Sequence, residues 1–245
     1  MGETIAILSG KGGTGKTSVC ALLATALADA GQKVLCIDCD MGLRNLDISL
    51  GLAESGALSF LDVAQGGYRL DQAAKHHRYP TLHFLTAPIS QSAEDVDTDR
   101  FRALLEQARE IYDYIFLDAP AGVDAGFRLA ARYAGRVILV TGADPAAVRD
   151  AERAGQLLDL MGKDNVRLVV NRIRPKLLRA MDLTVDDVMD SAGLPLLGLV
   201  PEDPNVVLAA TFGQPLLQYS KRCSASRAGR RIAKRMMGIS VPLTL

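Results

Sequence analysis

The sequence predicts an α/β fold, with a mostly parallel twisted sheet that carries helices on both faces. Three observations support this prediction. Apolar, β-branched runs alternate with helical patterns along the 245 residues. A stretch of glycines, lysines and threonines at 10–17, Gly-Lys-Gly-Gly-Thr-Gly-Lys-Thr, joins the first apolar run to the first helical pattern. Carboxylate and amide side chains follow several later runs, at the edge where parallel sheets bind ligands.

The apolar runs and helical patterns give the predicted elements in order. The strands are predicted at 3–9, 33–37, 81–86, 113–118, 136–141, 166–170 and 195–200. The helices are predicted at 16–30, 57–65, 98–111, 124–134, 145–161, 184–191, 203–211 and 220–237. The sequence contains no internal repeat, no low-complexity stretch and no Ser/Pro-rich linker, which favours one domain over 1–245.

The stretch at 10–17 is typical of a phosphate-binding loop in its strand–loop–helix context. Glycines let backbone N–H groups turn inward around an anion, and the next helix points its positive end at the same place. We expect Lys16 to reach the β- and γ-phosphates and the Thr17 hydroxyl to contact Mg²⁺. All eight positions and both flanks match, which disfavours a Gly-rich turn that only links two elements. The residues predicted to bind the nucleotide here are Gly10, Lys11, Gly12, Gly13, Thr14, Gly15, Lys16, Thr17 and Ser18.

A second lysine, Lys11, stands near the start of this loop. It cannot easily share the β/γ-phosphate site that Lys16 occupies. Lys11 is therefore either solvated at the surface or in contact with a phosphate that another subunit holds. Residue chemistry alone leaves both alternatives open.

Carboxylates at two strand ends predict the rest of a phosphoryl-transfer site. Asp38 and Asp40 follow the run at 33–37, and Asp118 ends a later run. Phosphoryl transfer needs mainly positioning and charge neutralisation, so carboxylates near Mg²⁺ and the attacking water are sufficient machinery. We expect Asp118 to hold Mg²⁺ directly or through water, and Gly122 to offer its backbone N–H to the γ-phosphate. Turn formation is the alternative for Asp38 and Asp40.

Polar residues also follow the last two predicted strands. Asn171 and Arg172 come after 166–170, and Pro201-Glu202-Asp203 comes after 195–200. An Asn amide offers the donor and the acceptor that a purine edge requires. Without further information, a strand-end cap is the simpler interpretation of Asn171.

These segments together resemble the MinD/ParA family of deviant Walker A P-loop ATPases. The matching segments are K-G-G-T-G-K-T at 11–17, D-M-G-L-R-N-L-D at 40–47, D-A-P-A-G at 118–122 and N-R at 171–172. The resemblance extends from Met1 to about Pro242. It implies a P-loop NTPase fold and two Mg²⁺-ATP molecules sandwiched in a homodimer, with Lys11 reaching the partner's nucleotide. Gly12 would then be small because the opposing chain approaches closely.

The resemblance also implies a role for each matched residue. Lys11, Lys16 and Asp40 would be catalytic, with Asp40 orienting the hydrolytic water. Thr17, Asp38 and Asp118 would hold Mg²⁺. Adenine would be read by Asn171, which makes ATP the preferred nucleotide. The other implied nucleotide contacts are Gly122, Arg172, Pro201, Glu202 and Asp203.

The function that the resemblance implies is a spatial switch in bacterial septum placement, driven by slow, partner-stimulated ATP hydrolysis. Its implied partners are a division inhibitor of the MinC type and a topological factor of the MinE or DivIVA type. Two alternatives within the family stay open. One is FlhG-like control of flagellar number or placement, and the other is ParA-like partitioning of DNA.

The net charge of zero conceals a basic C-terminal region. After Asp203 the chain has no acidic residue and seven basic residues, all of them in a helix predicted at about 220–238. Three alternatives stay open: a helix packed on the domain, an amphipathic helix on anionic lipid, or a nucleic-acid patch. The absence of aromatic residues among these charges disfavours nucleic acid. No apolar run approaches the roughly 20 residues of a membrane span, so we expect a cytoplasmic protein. Peripheral contact with the inner face of the cell membrane would depend on the basic helix.

Cysteines and histidines give no metal-site pattern. Cys36 and Cys39 form a C-x-x-C without a second pair, so we predict small core or near-site residues. His76, His77 and His83 lie in or beside a polar segment without ligand spacing, and we predict them at the surface.

Overall fold

The computed structural model describes residues 1–89 and 91–244, which form a layered α/β structure around one sheet. The strands are β1 (Glu3–Leu8), β2 (Val34–Asp38), β3 (Ala74–Lys75), β4 (Leu82–Leu85), β5 (Tyr114–Asp118), β6 (Arg136–Thr141), β7 (Val166–Ile173) and β8 (Leu196–Pro201). Their order across the sheet is β3-β4-β2-β5-β1-β6-β7-β8. Neighbouring strands are parallel, except that β3 runs antiparallel to β4. The predicted mostly parallel sheet is confirmed.

The helices confirm the predicted alternation, with bounds that shift by a few residues. They are α1 (Lys16–Asp29), α2 (Leu46–Leu50), α3 (Phe60–Ala64), α4 (Thr98–Ile111), α5 (Ala125–Tyr133), α6 (Pro145–Leu160), α7 (Pro175–Ala180), α8 (Val185–Ala192), α9 (Asn205–Thr211), α10 (Leu216–Tyr219) and α11 (Ser224–Met236). The sequence patterns missed α2, α7, α10 and the two-residue β3. Each is too short to display a hydrophobic period, and tertiary packing rather than propensity stabilises such short pieces.

Two apolar cores lie on opposite faces of the sheet. Helices α4, α5, α6 and α8 contribute buried side chains to one core, whereas α1, α10 and α11 contribute to the other. Helix α1 is buried nearly all round because it lies between the sheet and α11. Glycines permit this close packing: a Cβ on Gly229 of α11 would lie 2.5 Å from Leu22 Cγ of α1.

The basic helix α11 uses its apolar stripe inside the fold. Ala225, Ala228, Ile232, Ala233 and Met236 are buried against α1 and β8. After Ser224, which begins the helix, the residues that remain wholly or partly exposed are basic: Arg227, Arg230, Arg231, Lys234 and Arg235. The structure therefore favours the first alternative for this segment, a helix packed on the domain. Among the described residues, no helix has the length and apolar character that crossing a membrane requires.

The prediction of a surface position is wrong for one histidine. His76 is 1% exposed and its Nδ1 accepts the backbone N–H groups of Arg78 and Tyr79 at 3.0 and 3.1 Å. Burial, followed by the nearby charge of His77, lowers the pKa of His76 to about 4. The neutral ring thus acts as a cap for a tight turn, a role that the polar composition of the segment conceals.

The strand order brings three site segments together. Strand β5 lies between β1 and β2, and Asp118 at its end is in register with both Ile7 and Asp38. The carboxyl ends of parallel strands meet at the same edge of a sheet. The loop after β1, the segment after β2 and the segment after β5 consequently lie side by side, although residues 10 and 118 are far apart in sequence.

Candidate nucleotide site

The glycines of the loop at 10–17 are required for different reasons. Gly13 and Gly15 both have φ of +83°, a left-handed conformation that favours glycine. A Cβ on Gly15 would lie 2.4 Å from Asn171 Nδ2, and one on Gly10 would lie 2.2 Å from the Asp150 carbonyl oxygen. By contrast, a Cβ on Gly12 would meet only the Ala121 Cβ, at 4.0 Å. Packing within the chain therefore does not explain why position 12 lacks a side chain.

Lys16 is buried in an ion pair at the floor of this loop. Its Nζ lies 2.8 Å from Asp118 Oδ1 and 3.3 Å from Thr17 Oγ1, and both Lys16 and Asp118 are almost fully buried. Burial by itself lowers the pKa of Lys16, but the charge of Asp118 and the hydrogen bond to it raise that pKa overall. Burial raises the pKa of Asp118, and Lys16 opposes that rise. This pairing keeps the ammonium charged at the place where phosphate oxygens would lie.

Asp38 adds a second buried carboxyl group beside Asp118. It is 1% exposed, and burial together with the adjacent Asp118 raises the pKa of Asp38 to about 7. The negative charge of Asp118 thus opposes ionisation of Asp38. A divalent cation would relieve this repulsion, since an opposite charge stabilises ionised carboxylates.

These residues fit Mg²⁺ bound together with a nucleotide. Mg²⁺ is usually held by one or two carboxylates plus phosphate oxygens and water, not by an all-protein cage. The Thr17 hydroxyl, Asp38 and Asp118 supply such a partial set. Within 1–89 and 91–244, no group of three His, Cys, Asp or Glu side chains converges on a metal position. The buried Thr14 Oγ1 also has no hydrogen-bond partner among the residues that the structure describes, which marks an incomplete polar lining.

The segment 38–47, which joins β2 to α2, is held in a hydrogen-bonded turn. Asp38 accepts the N–H groups of Asp40 and Leu46 through its two oxygens, at 2.9 and 3.2 Å. Asp40 Oδ1 accepts the N–H groups of Gly42 and Leu43, at 3.2 and 3.1 Å. The turn formation that the sequence analysis left open for Asp40 is therefore present. One of its carboxylate oxygens is engaged within the turn.

A cavity of about 440 Å³ lies beside the loop, between α1 and the end of β8. It is lined by the predicted residues Asn171, Arg172, Pro201, Glu202 and Asp203, together with apolar groups from α1, α9 and α10. Its size and mixed lining suit a planar heterocyclic base. Of the residues on α1, α9 and α10 that line the cavity, only Ser18 was predicted, because the strand-end rule does not find side chains on helix flanks.

Three predicted contacts have partners within the chain. Asn171 Nδ2 donates to the Thr14 carbonyl at 2.8 Å, and Arg172 Nη1 donates to that of Gly13 at 2.9 Å. These bonds fasten the end of β7 to the loop, so Asn171 supports the loop as well as lining the cavity. The Gly122 N–H, expected to face a phosphate, donates to the Ser9 carbonyl at 3.1 Å.

The Asp203 carboxylate links the starts of α9 and α11 by hydrogen bonds. Its Oδ1 accepts from the backbone and side chain of Asn205, and its Oδ2 accepts from the Ser224 hydroxyl and the Ala225 N–H. Burial opposes ionisation of Asp203, but these four donors outweigh it and lower its pKa. With its oxygens engaged in this way, the carboxylate shapes the wall of the cavity and has little capacity left to bind a base.

Lys11 occupies an environment opposite to that of Lys16. Its side chain is 37% exposed, and its Nζ lies 3.5 Å from Asp144 Oδ1 at the start of α6. Asp144 is itself 56% exposed and also caps α6 by accepting the Ala147 N–H at 3.0 Å. Lys11 therefore lies at the rim of the loop, not at its floor.

Comparisons with known proteins agree with this geometry. The model of the CobQ/CobB/MinD/ParA nucleotide binding domain matches residues 5–216. The septum site-determining protein MinD of a Synechocystis species is 38% identical over 244 residues, covering 99% of this chain and 92% of the relative. The chain belongs to the MinD family.

Solved MinD structures extend this result to the three-dimensional fold. The structure of a MinC:MinD cell division protein complex from Aquifex aeolicus matches with a TM-score of 0.91 and 36% identity, covering 99% of both chains. MinD complexed with Mg-ADP from Pyrococcus horikoshii matches with a TM-score of 0.83 and 28% identity, covering 96% of both chains. The P-loop NTPase fold is therefore confirmed.

Membership of the MinD family confirms the predicted activity and cofactors. The chain is a P-loop ATPase that uses ATP and Mg²⁺. Its function is the division-site placement of MinD proteins, and the comparisons favour neither the flagellar nor the DNA-partition alternative.

Proposed function

We propose that this MinD-family ATPase is a dimerising switch, in which ATP joins two copies of the chain and hydrolysis separates them. This proposal rests on the contrast between the surroundings of the two lysines in the loop at 10–17. Lys16 is buried against Asp118, where it completes the phosphate site of its own subunit. Lys11 lies at the exposed rim of the loop. Its ion-pair partner, Asp144, is exposed too, so the Lys11 ammonium is available to another subunit. The open space at Gly12 supports close approach of a second chain there.

The proposed chemistry divides the work among residues of the loop and the strand ends. Lys16 holds the β- and γ-phosphate oxygens, and Thr17, Asp38 and Asp118 lie where they would hold Mg²⁺. When bound, Mg²⁺ supplies neutralisation of the charge on the transferring phosphoryl group. Asp40 orients the attacking water once its carboxylate leaves the amides of Gly42 and Leu43.

The residues around the base cavity bind the base, and Gly122 responds to the arrival and release of the phosphate. Asn171 lines the base cavity, with Arg172, Pro201 and Glu202 around it. Glu202 forms an ion pair with Arg174, which fixes this wall. Gly122 has φ of +95° and exchanges its bond to Ser9 for a phosphate oxygen when ATP is bound.

The proposed partners follow from the relatives. A MinC-type division inhibitor binds the ATP-bound dimer, as the Aquifex complex by its name pairs MinC with MinD. A MinE- or DivIVA-type topological factor positions the complex. We further propose that the whole chain acts as one ATPase domain in the cytoplasm. Contact with the inner face of the membrane would be peripheral and would involve the exposed basic face of α11.

The test is the molecular mass in solution with ADP and with ATP plus Mg²⁺. Wild type is expected to be monomeric with ADP and dimeric with ATP. Asp40→Ala should keep the ATP dimer for longer, because the dimer separates by hydrolysis. Lys11→Ala should stay monomeric with either nucleotide while still binding one nucleotide per chain.

Nucleotide affinity, measured by the fluorescence of a labelled ADP, controls for damage to the loop. Lys11→Ala with wild-type ADP affinity and no dimer supports the proposal. A monomer under every condition in wild type, or an ATP dimer in Lys11→Ala, would refute the role of Lys11.

A further inference from the structure

Arg44 lies in a strained backbone conformation in the segment 38–47. Its φ is +51°, in the left-handed region that non-glycine residues rarely adopt. Its guanidinium donates two hydrogen bonds to a single acceptor, the Thr86 hydroxyl, with Nε at 3.3 Å and Nη2 at 3.0 Å. Strain of this kind persists only where the surrounding structure compensates for it. The bonds to Thr86 are the compensation that this structure provides.

Thr86 is a rigid anchor for these bonds. It follows β4 directly, is 6% exposed, and has both backbone groups engaged. Its N–H donates to the Leu58 carbonyl and its carbonyl accepts the Phe60 N–H, both at 2.9 Å. These backbone bonds fix Thr86 with respect to the sheet. The Arg44 guanidinium, which is bound to the Thr86 hydroxyl, is thereby held beside the sheet as well.

The turn that Arg44 closes is the one that engages Asp40. The Arg44 N–H donates to the Asp40 carbonyl at 3.1 Å, while Asp40 Oδ1 accepts from Gly42 and Leu43. A carboxylate that orients water must have its lone pairs directed at that water. The conformation that Arg44 and Thr86 stabilise is thus a resting one, in which Asp40 is partly occupied.

We propose that Thr86 is a positioning residue for hydrolysis, which acts through Arg44 to hold the segment 38–47 in its resting turn. Release of Arg44 relieves the backbone strain and lets the turn open, so that Asp40 becomes available to the attacking water. Thr86 touches neither the phosphate loop nor the base cavity in this arrangement, and it affects the reaction only through the turn. The inference rests on the proposed role of Asp40.

The first test uses the nucleotide-free protein and does not depend on activity. Trypsin cleaves after arginine, and the Arg44–Asn45 bond is protected while the Arg44 side chain is bound to Thr86. Thr86→Val keeps the shape of the side chain but removes the hydroxyl. We expect cleavage at Arg44 to accelerate about tenfold in Thr86→Val. The free energy of a hydrogen bond that involves a charged group corresponds to a change in an equilibrium of about that size. Cleavage after the exposed Arg69 serves as the internal reference.

The second test compares steady-state ATP hydrolysis in the same variants. Thr86→Val should raise kcat several-fold and leave KM unchanged, since the turn and not nucleotide binding is altered. Thr86→Ser, which keeps the acceptor, should restore wild-type cleavage and turnover. Thr81→Val, at the opposite end of the same strand, is the matched control and should behave as wild type in both tests.

The two tests separate failure of this inference from failure of the proposed function. Unchanged cleavage at Arg44 in Thr86→Val, or a reduced kcat, would overturn the assignment of Thr86. Should Asp40→Ala instead hydrolyse ATP at the wild-type rate, the proposed role of Asp40 would fail, whatever trypsin shows at Arg44.

Discussion

At the scale of single residues, one loop contains two lysines with opposite surroundings. Lys16 is 6% exposed beside a carboxylate that is 1% exposed, and Lys11 is 37% exposed beside one that is 56% exposed. Exposed ion pairs contribute little to folding because water and salt screen them. Removing one partner of a buried pair, by contrast, leaves an uncompensated charge in the interior. The same residue type is therefore expected to matter for folding at position 16 and to matter little for folding at position 11.

Substitution of each lysine should separate these roles. Lys16→Met is expected to lower the free energy of unfolding by about 3 kcal/mol, because it leaves Asp118 buried without its partner. Lys11→Ala should change it by less than about 1 kcal/mol. Urea unfolding of the nucleotide-free proteins measures both. Equal losses in the two variants would contradict the assignment of Lys11 to the rim.

At the scale of elements, helix packing in this protein depends on where glycine replaces a side chain. Gly229 lies in α11 where that helix crosses α1, and an added Cβ would lie 2.5–3.0 Å from three atoms of Leu22. Gly155 lies in α6, where an added Cβ would approach Leu194 Cδ1 no closer than 3.4 Å. Both positions are within helices, so alanine would be preferred at each on propensity alone.

Alanine at these two glycines should therefore have opposite effects. Gly229→Ala must push α11 from α1, and we expect a loss of about 1–3 kcal/mol despite the gain in helix propensity. Gly155→Ala should be neutral or stabilise by up to about 1 kcal/mol. Thermal unfolding followed by circular dichroism tests the pair. A higher Tm for Gly229→Ala would show that α11 can move away from α1 at little cost in free energy.

At the scale of the whole molecule, the buried His76 couples stability to pH. The pKa of His76 is about 4 in the folded chain, against an ordinary value of 6.5. The unfolded chain therefore binds more protons between these two pH values, and folding loses stability as the pH falls through this window. The contribution of the neutral ring is fully present above pH 6.5.

Replacement of His76 by a residue that does not titrate should flatten this dependence. In His76→Asn the amide oxygen can still accept the N–H groups of Arg78 and Tyr79. We expect wild type to lose about 2 kcal/mol more stability than His76→Asn between pH 7 and pH 5. Urea unfolding across that range measures the difference. Parallel curves for the two proteins would mean that folding does not lower the pKa of His76.

The sequence predicted the sheet and the carboxyl-edge residues because local patterns encode them. Within the run at 33–37, residues 34–37 are all apolar, and parallel topology then brings Asp38 and Asp118 together. Contacts between segments that are far apart in sequence are not encoded in any local pattern. The bond from Arg44 to Thr86 joins residues whose neighbourhood only the folded chain defines. The burial of His76 likewise depends on packing that a polar stretch of sequence does not reveal.

The strand order also decides when the site can form during synthesis. A ribosome that has completed 100 residues has made β1 and β2, but not β5, which lies between them in the finished sheet. Until β5 emerges, both strands have an open edge and the phosphate loop has no Asp118 beneath its lysine. Pairing over such long sequence separations is slow, and unpaired edges favour aggregation. The nascent chain therefore cannot form the Lys16–Asp118 pair before the midpoint of translation, and until then the edges of β1 and β2 that β5 covers stay unpaired.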